Sequence, residues 1–394
     1  MEIGSGYYAY DLVVTGITIF ALVVEAYLIY LIIYVSPKTM SAYRPFLLNI
    51  AFWDTLLSFN IGMFMPNMLY PASCILSNGP YKYLGPQFCL ILFTFIVCCA
   101  VNGITAQDYC MMYRLTIILP NQRIHEYFMK WQAVVLIQLI LWAVSLEVSI
   151  STLLTFMTPQ NATAYLNHWY DDAIYDWFDA KWYLPPYNKN STIICTDWFS
   201  PYLRKQVWSG VIFLATSELC CFAMAATIFG ILRKNISRYE SNLAQLGFEE
   251  NNRTLPYHIG RFSRKTYSMH LQLTALIVAQ YLSPIIFLAG PIFVILYKNV
   301  FYATSDVPSH ALGDSLVISF SLYGCANAFL TLAFVAPYRT YTKRKLLDFL
   351  TRLGLRKTPS TSKLVTPGNT NSLNRLPESS FNIDGLANIN ERNV

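Results

Sequence analysis

The residues of this 394-residue chain that could do chemistry are few, and most stand in surroundings that penalise charge. Five acids, Glu25, Asp54, Glu147, Glu218 and Asp314, are embedded in apolar runs. Such an acid is costly unless it faces the interior of a helix bundle, where it marks an ion, proton or ligand path. For each, the alternative is a structural hydrogen bond within the bundle. Cys89 and Arg114 lie 25 residues apart and bracket one such run. At 1.5 Å per residue this is about 37 Å, a membrane thickness with part of each headgroup layer. Catalysis finds no support. The five histidines, His125, His168, His258, His270 and His310, are scattered, and none pairs at ligand spacing. The chain has no metal-ligand set, Gly-rich phosphate loop or nucleophile motif, so neither an enzyme nor a metal centre is expected.

The elements that position these residues are seven apolar stretches, 12–35, 45–70, 88–111, 131–156, 207–232, 269–297 and 311–335. A helix needs about 20 apolar residues to cross a bilayer, and each stretch suffices. The expectation is an all-α membrane protein, a seven-transmembrane helix bundle occupying residues 1–337. Hydrophobic residues make up 55% and charged residues only 13%, against about 25% charged in soluble domains. A net charge of +6 could suggest nucleic acid in a soluble protein, but its distribution argues against that. With the N-terminus outside, 22 of the 28 Lys and Arg fall on the cytoplasmic side and six outside. The rule that positive loops stay inside therefore gives an outer N-terminus and a cytoplasmic C-terminus. Residues 1–10 lack a basic region, so the first stretch reads as a signal anchor.

The loops are unequal. The first inner loop is a tight turn, whereas residues 157–206 form a long outer loop dense in aromatics and acids, among them Trp169, Asp171, Asp172, Trp177 and Trp182. It carries sequons at Asn161 and Asn190, expected to be glycosylated. Those at Asn235 and Asn252 fall on the inner side and should stay unused. The long loop reads as a lid over a ligand pocket or as a solvated, glycosylated cap. Residues 338–357 read as an amphipathic membrane-surface helix, with Leu346, Leu350 and Leu353 on one stripe among basic residues that suit anionic lipid. Residues 358–394, rich in Ser, Thr and Asn, are expected to be disordered. Of nine cysteines, Cys74, Cys89 and Cys195 lie at or beyond the outer face, where disulfides form.

Asn49-Ile50-Ala51-Phe52-Trp53-Asp54 resembles the Asn-Leu-Ala-x-x-Asp pattern in the second helix of rhodopsin-like G-protein-coupled receptors. The separation of Cys89 and Arg114 is also the one that family keeps between its disulfide cysteine and the Arg of its Asp-Arg-Tyr motif. The resemblance implies a disulfide between Cys89 and Cys195, the single cysteine of the second outer loop. It also implies a polar network around Asp54, with a sodium ion as the one cofactor to consider. Departures are clear: Tyr113 replaces the acid before Arg114, and Ile96 stands where amine receptors carry Asp. Leu282 stands where Trp usually precedes Pro284, and Asn-Pro-x-x-Tyr is absent from the seventh stretch.

A second resemblance fits better. Ser36-Pro37-Lys38-x-Met40-x-x-Tyr43-Arg44, Leu47-Leu48-Asn49 with Trp53, and Asn78-Gly79-Pro80 with Gly85-Pro86 look like nematode chemoreceptors of the Str superfamily. So do Ala275-Leu276-x-x-x-Gln280-x-x-x-Pro284 with Pro291, and Pro337-Tyr338-Arg339. The motifs are divided between the serpentine classes h and d. This resemblance implies a chemosensory receptor that binds an odorant or pheromone from outside and activates a heterotrimeric G protein. Ile96, Val97, Ala100, Glu218 and Asp314 are the implied ligand contacts. Asp54, Tyr113, Arg114, Pro284, Asn327, Tyr338 and Arg339 form the implied activation and G-protein face. Plasma-membrane location, in a sensory cilium, and arrestin and receptor kinase at the tail belong to the same expectation. A ligand-gated channel and a proton-coupled transporter remain the alternatives.

Overall fold

The computed structural model describes residues 4–69, 74–119, 121–157, 161, 193–196, 201–246, 264–290 and 310–353. The chain opens with α1 (Gly4–Tyr30), which loosens into a π-turn over Leu31–Val35. A 3₁₀ turn over Lys38–Tyr43 leads into α2 (Arg44–Phe64). The second stretch was expected to stay helical to residue 70. Instead α2 ends at Met65, a left-handed residue with φ 45°, directly before Pro66. A proline has no amide hydrogen and its ring disfavours the helical conformation at the residue before it.

Beyond Pro66 the chain forms a sheet that the apolar count concealed. Strands β1 (Pro66–Leu69) and β2 (Cys74–Ser77) pair antiparallel, and β3 (Ile193–Cys195) from the second outer loop adds to β2. Gly85, at φ 90°, then turns the chain into α3 (Pro86–Ile118). That φ suits glycine, which lacks a Cβ to clash, and Pro86 fits the helix start because its missing amide would be unpaired there anyway. The 33 residues of α3 reach about 50 Å. The short helix α4 (Gln122–Phe128) is capped by Asn121, whose side chain accepts from the Arg123 amide at 3.1 Å.

Four long helices come next: α5 (Trp131–Leu153), α6 (Pro201–Leu246), α7 (Arg264–Pro284) and α8 (His310–Phe334). A π-turn over Ile285–Ala289 continues α7 beyond Pro284. The last helix among the described residues is α9 (Ala336–Arg352), expected over 338–357. Residues 233–246, expected in a loop, prolong α6 instead; no Gly or Pro interrupts the chain between Gly230 and Gly247. Six helices among the described residues are long and apolar enough to cross a membrane, and α7 contributes a shorter apolar part, Leu271–Phe287.

Helix α3 is the axis of the bundle, packing on α2, α5, α6 and α7, while α1 closes the ring against α2 and α8. The outward faces are apolar: Leu12, Phe20, Val135, Leu139, Val211 and Leu219 are all exposed. A soluble protein would bury such residues; a chain solvated by lipid need not. The chain divides into two compact units, Met1–Arg344 and Lys345–Val394. Within the second, the end of α9 presents Leu346 and Phe349 as exposed apolar residues. The expected tail, 358–394, lies outside the described residues.

Candidate functional site

At the outer end, defined by the sheet, Cys195 is disulfide-bonded to Cys74 and Cys89 is free. The expected Cys89–Cys195 pairing is therefore corrected. The reason is register: β2 and β3 place Cys74 directly opposite Cys195, with Cα atoms 4.1 Å apart. Cys89 faces elsewhere, its thiol donating to the Tyr81 carbonyl at 3.2 Å. The disulfide still ties the second outer loop down, but to the α2–α3 connection rather than to α3 itself.

Beneath the sheet lies a cluster of Phe64, Ile75, Ile96, Cys99, Ile194 and Tyr323, with Phe93, Phe156, Phe287 and Phe320 against it. Ile96 is buried there and Ala100 packs on its edge, while Val97 is half-buried. Phe93 meets Phe156 edge to face at 5.5 Å. The surroundings are apolar and aromatic, with Asn60 accepting from the Tyr81 hydroxyl at 3.0 Å. Glu218 is elsewhere, half-buried on α6, with one carboxylate oxygen that has no partner among the described residues. Asp314 falls within α8, but its side chain lies outside the described residues.

A polar layer crosses the middle of the bundle. Asp54 is 4% exposed and accepts from the Asn327 amide of α8 at 3.2 Å. Glu25, 1% exposed on α1, accepts from the Ser58 hydroxyl of α2 at 2.8 Å. Gly324 makes room for this pair, since a Cβ there would run into Ser58 Oγ and Glu25 Oε1. Gln107 on α3 donates to the Tyr323 hydroxyl at 3.5 Å. Four acceptor oxygens of this layer have no hydrogen-bond partner among the described residues: Glu25 Oε2, Asp54 Oδ1, Gln107 Oε1 and Asn327 Oδ1. Buried polar atoms are normally satisfied, so a set made only of acceptors calls for protons, water or a cation. Tyr323 belongs both to this layer and to the aromatic cluster above it.

At the inner end Arg114 is only 2% exposed. Its guanidinium lies 4.1 Å from the Tyr43 ring centre, and Nε donates to the Tyr43 hydroxyl at 3.2 Å. The Cys110 thiol donates to the same hydroxyl at 3.1 Å. Tyr113 stacks on Phe46, ring centres 4.2 Å apart, and on Tyr43. A cation above a tyrosine face replaces the acid–arginine pair that the sequence lacks. Fully buried Tyr338 bonds Ser36 at 2.6 Å, joining two motifs 302 residues apart. Arg339 is exposed and donates to the Ala333 carbonyl at 3.2 Å. Pro284 lies inside α7, where the helix passes into its π-turn.

Sequence reasoning missed Cys74 as the disulfide partner, and Tyr43, Gln107 and Tyr323 as network members. Tyr43 and Ser36 both stand in the motif around the first inner loop, so the signal was present but carried no partner. Asn161 is described as a single exposed residue, and Asn190 lies outside the described residues. Asp108, six residues before Arg114 on α3, accepts from Ser217 and Tyr281. Glu147 is exposed on α5 and accepts from Ser151 at 3.2 Å.

The fold is shared with squid rhodopsin: the TM-score is 0.56, with 13% identity over 88% of this chain and 82% of that one. At that identity the likeness speaks for the architecture alone. No curated protein matches the sequence. Two family models do. "Serpentine type 7TM GPCR chemoreceptor Srh" matches residues 252–348, and "Serpentine type 7TM GPCR chemoreceptor Srd" matches residues 10–246, more than half of the chain. With its bundle, its outer disulfide and its buried inner arginine, the protein belongs to the serpentine-type seven-transmembrane chemoreceptors, in the Srd family.

Proposed function

We propose that this receptor takes a small, weakly polar odorant or pheromone from its outer side and passes the event to a heterotrimeric G protein at its inner end. The observation that carries the reading is Tyr323. It packs in the aromatic cluster under the sheet and bonds Gln107 in the polar layer that contains Asp54. A ligand that displaces Phe93, Phe287 or Phe320 from that cluster therefore acts on a residue wired to the middle of the bundle. It can shift the receptor only through a difference in affinity between the two states. Arg114, closed under Tyr43 in this conformation, becomes the G-protein contact once exposed.

The acceptors around Asp54 fit a sodium ion, because hard cations take oxygen ligands and four buried oxygens there have no hydrogen-bond partner among the described residues. Asp54 Oδ1 and Asn327 Oδ1 would hold it, and its charge would offset the carboxylate. In this reading the N-terminus is outside, the plasma membrane of a sensory cilium is the location, and Asn161 and Asn190 carry glycans. Arrestin and a receptor kinase would meet the tail. Co-expression with promiscuous G proteins against a panel of volatile and pheromone-like compounds tests the function. A dose-dependent response supports it. Saturable uptake or a ligand-gated current without any G-protein response would replace it with a transporter or channel. Glycosidase shifts that survive Asn161→Gln with Asn190→Gln would reverse the orientation.

A further inference from the structure

One carboxylate below the ligand region joins three helices. Asp108, on α3, lies six residues outward of Arg114, about 9 Å along the helix. Its Oδ2 accepts from the Ser217 hydroxyl of α6 at 2.7 Å, and its Oδ1 accepts from the Tyr281 hydroxyl of α7. Ser217 and Tyr281 are both buried. Each of the two carboxylate oxygens therefore serves a different helix. The neighbouring residue on α7, Gln280, donates to Thr331 of α8 at 3.1 Å, so that tie runs to the other side.

The position of Tyr281 on α7 gives the bond its leverage. It stands three residues before Pro284, about 4.5 Å along the helix from where the π-turn begins, whereas Arg264 is about 30 Å away. A swing that moves the inner end of α7 by about 10 Å displaces the backbone at Tyr281 by only about 1.5 Å. That is enough to carry a phenol out of hydrogen-bonding range, because these bonds weaken steeply beyond their optimum. The conformation that holds the bond is also the one in which Arg114 is buried, so the bond belongs to the closed inner face.

We propose that Asp108 is the resting-state latch of this receptor: it holds α7 to α3 through Tyr281, and release of that hydroxyl permits the inner face to open. The proposal rests on the G-protein reading for its purpose, but not for its test. Spin labels at Arg123→Cys on α4, the short helix that follows the inner end of α3, and at Ser268→Cys on α7, with exposed Cys220 replaced by Ser, report the inner α4–α7 separation of receptor in lipid nanodiscs. Without ligand or G protein, Tyr281→Phe should raise the long-distance population relative to the closed one about tenfold, the scale of losing a bond to a charged acceptor. Ser217→Ala leaves the Asp108–Tyr281 bond in place while removing the α6 bond to Asp108 and the Ser217–Tyr281 contact, and should change that ratio by less than about threefold. Asp108→Asn added to Tyr281→Phe should add little, since the two act through one bond.

An unchanged distance distribution in Tyr281→Phe, with a thermal midpoint near that of the parent, would overturn the latch. So would a Ser217→Ala shift as large as that of Tyr281→Phe, which would mark Asp108 as general support. If Tyr281→Phe opens the inner face yet raises nucleotide exchange on no G-protein class, the latch stands and the G-protein reading falls.

Discussion

The two ends of α3 are built by opposite means. At the end bearing Cys89, a three-stranded sheet and the Cys74–Cys195 cross-link, spanning 121 residues of sequence, hold the loops covalently. At the end bearing Arg114, the contacts are a cation over Tyr43, hydrogen bonds from Arg114 and Cys110 to one hydroxyl, and stacked aromatics. The first kind of closure breaks only with a covalent bond. The second is a set of contacts each worth about 1 kcal/mol, which can be exchanged for others. The proposed signalling would use this asymmetry, with an outer end that keeps its shape and an inner end whose contacts can be exchanged.

The largest effect should come from the covalent end. Cys74→Ser or Cys195→Ser should cost about 2–5 kcal/mol and most of the surface expression, as loss of a native disulfide over a long loop does. Cys89→Ser should stay close to the parent in both. If Cys89→Ser proves as damaging as Cys195→Ser, the Cys74–Cys195 pairing is wrong and the two ends of α3 are less unlike.

Gly324→Ala probes the layer between the two ends. Its methyl group would press on Ser58 Oγ and Glu25 Oε1, and overpacking of this kind costs about 1–3 kcal/mol. The thermal midpoint of the purified receptor should fall accordingly, and a midpoint unmoved by the substitution would mean that α1, α2 and α8 yield more easily there. A smaller effect is expected at the inner end. Tyr43→Phe keeps the ring beneath Arg114 but removes the hydroxyl that takes bonds from Arg114 and Cys110. It should lower stability by about 1–2 kcal/mol and raise ligand-free signalling. Reduced ligand-free signalling would show that Tyr43 supports the open state instead.

Much of the bundle was legible because lipid imposes one requirement, a long apolar helix, that composition reveals directly. The same signal hid the sheet. Residues 66–69 continue an apolar run, and only Pro66, which ends α2 at Met65, marks the change to a strand. Cys74 and Cys195 were both recognised as outer cysteines, yet three candidates allow more than one pairing, and strand register decided between them. Asp54 and Arg114 were visible as charges in apolar runs. Their partners were not, because Asn327 and Tyr43 lie 273 and 71 residues away and no local pattern links them. The extension of α6 to Leu246 was missed because a polar helix outside the membrane has no apolar stripe long enough to count.

Agonist-evoked G-protein activation by Arg114→Ala, measured beside surface level and ligand affinity in the same cells, tests the central claim most directly. The buried arginine lies at the end of α3 opposite the sheet, about a membrane thickness from Cys89, where the proposed G-protein contact is placed. Signalling should therefore fall by at least about tenfold with surface level and ligand affinity near those of the parent. Full signalling by the variant would contradict the assignment of the inner face, and parallel loss of ligand binding would make Arg114 a structural residue.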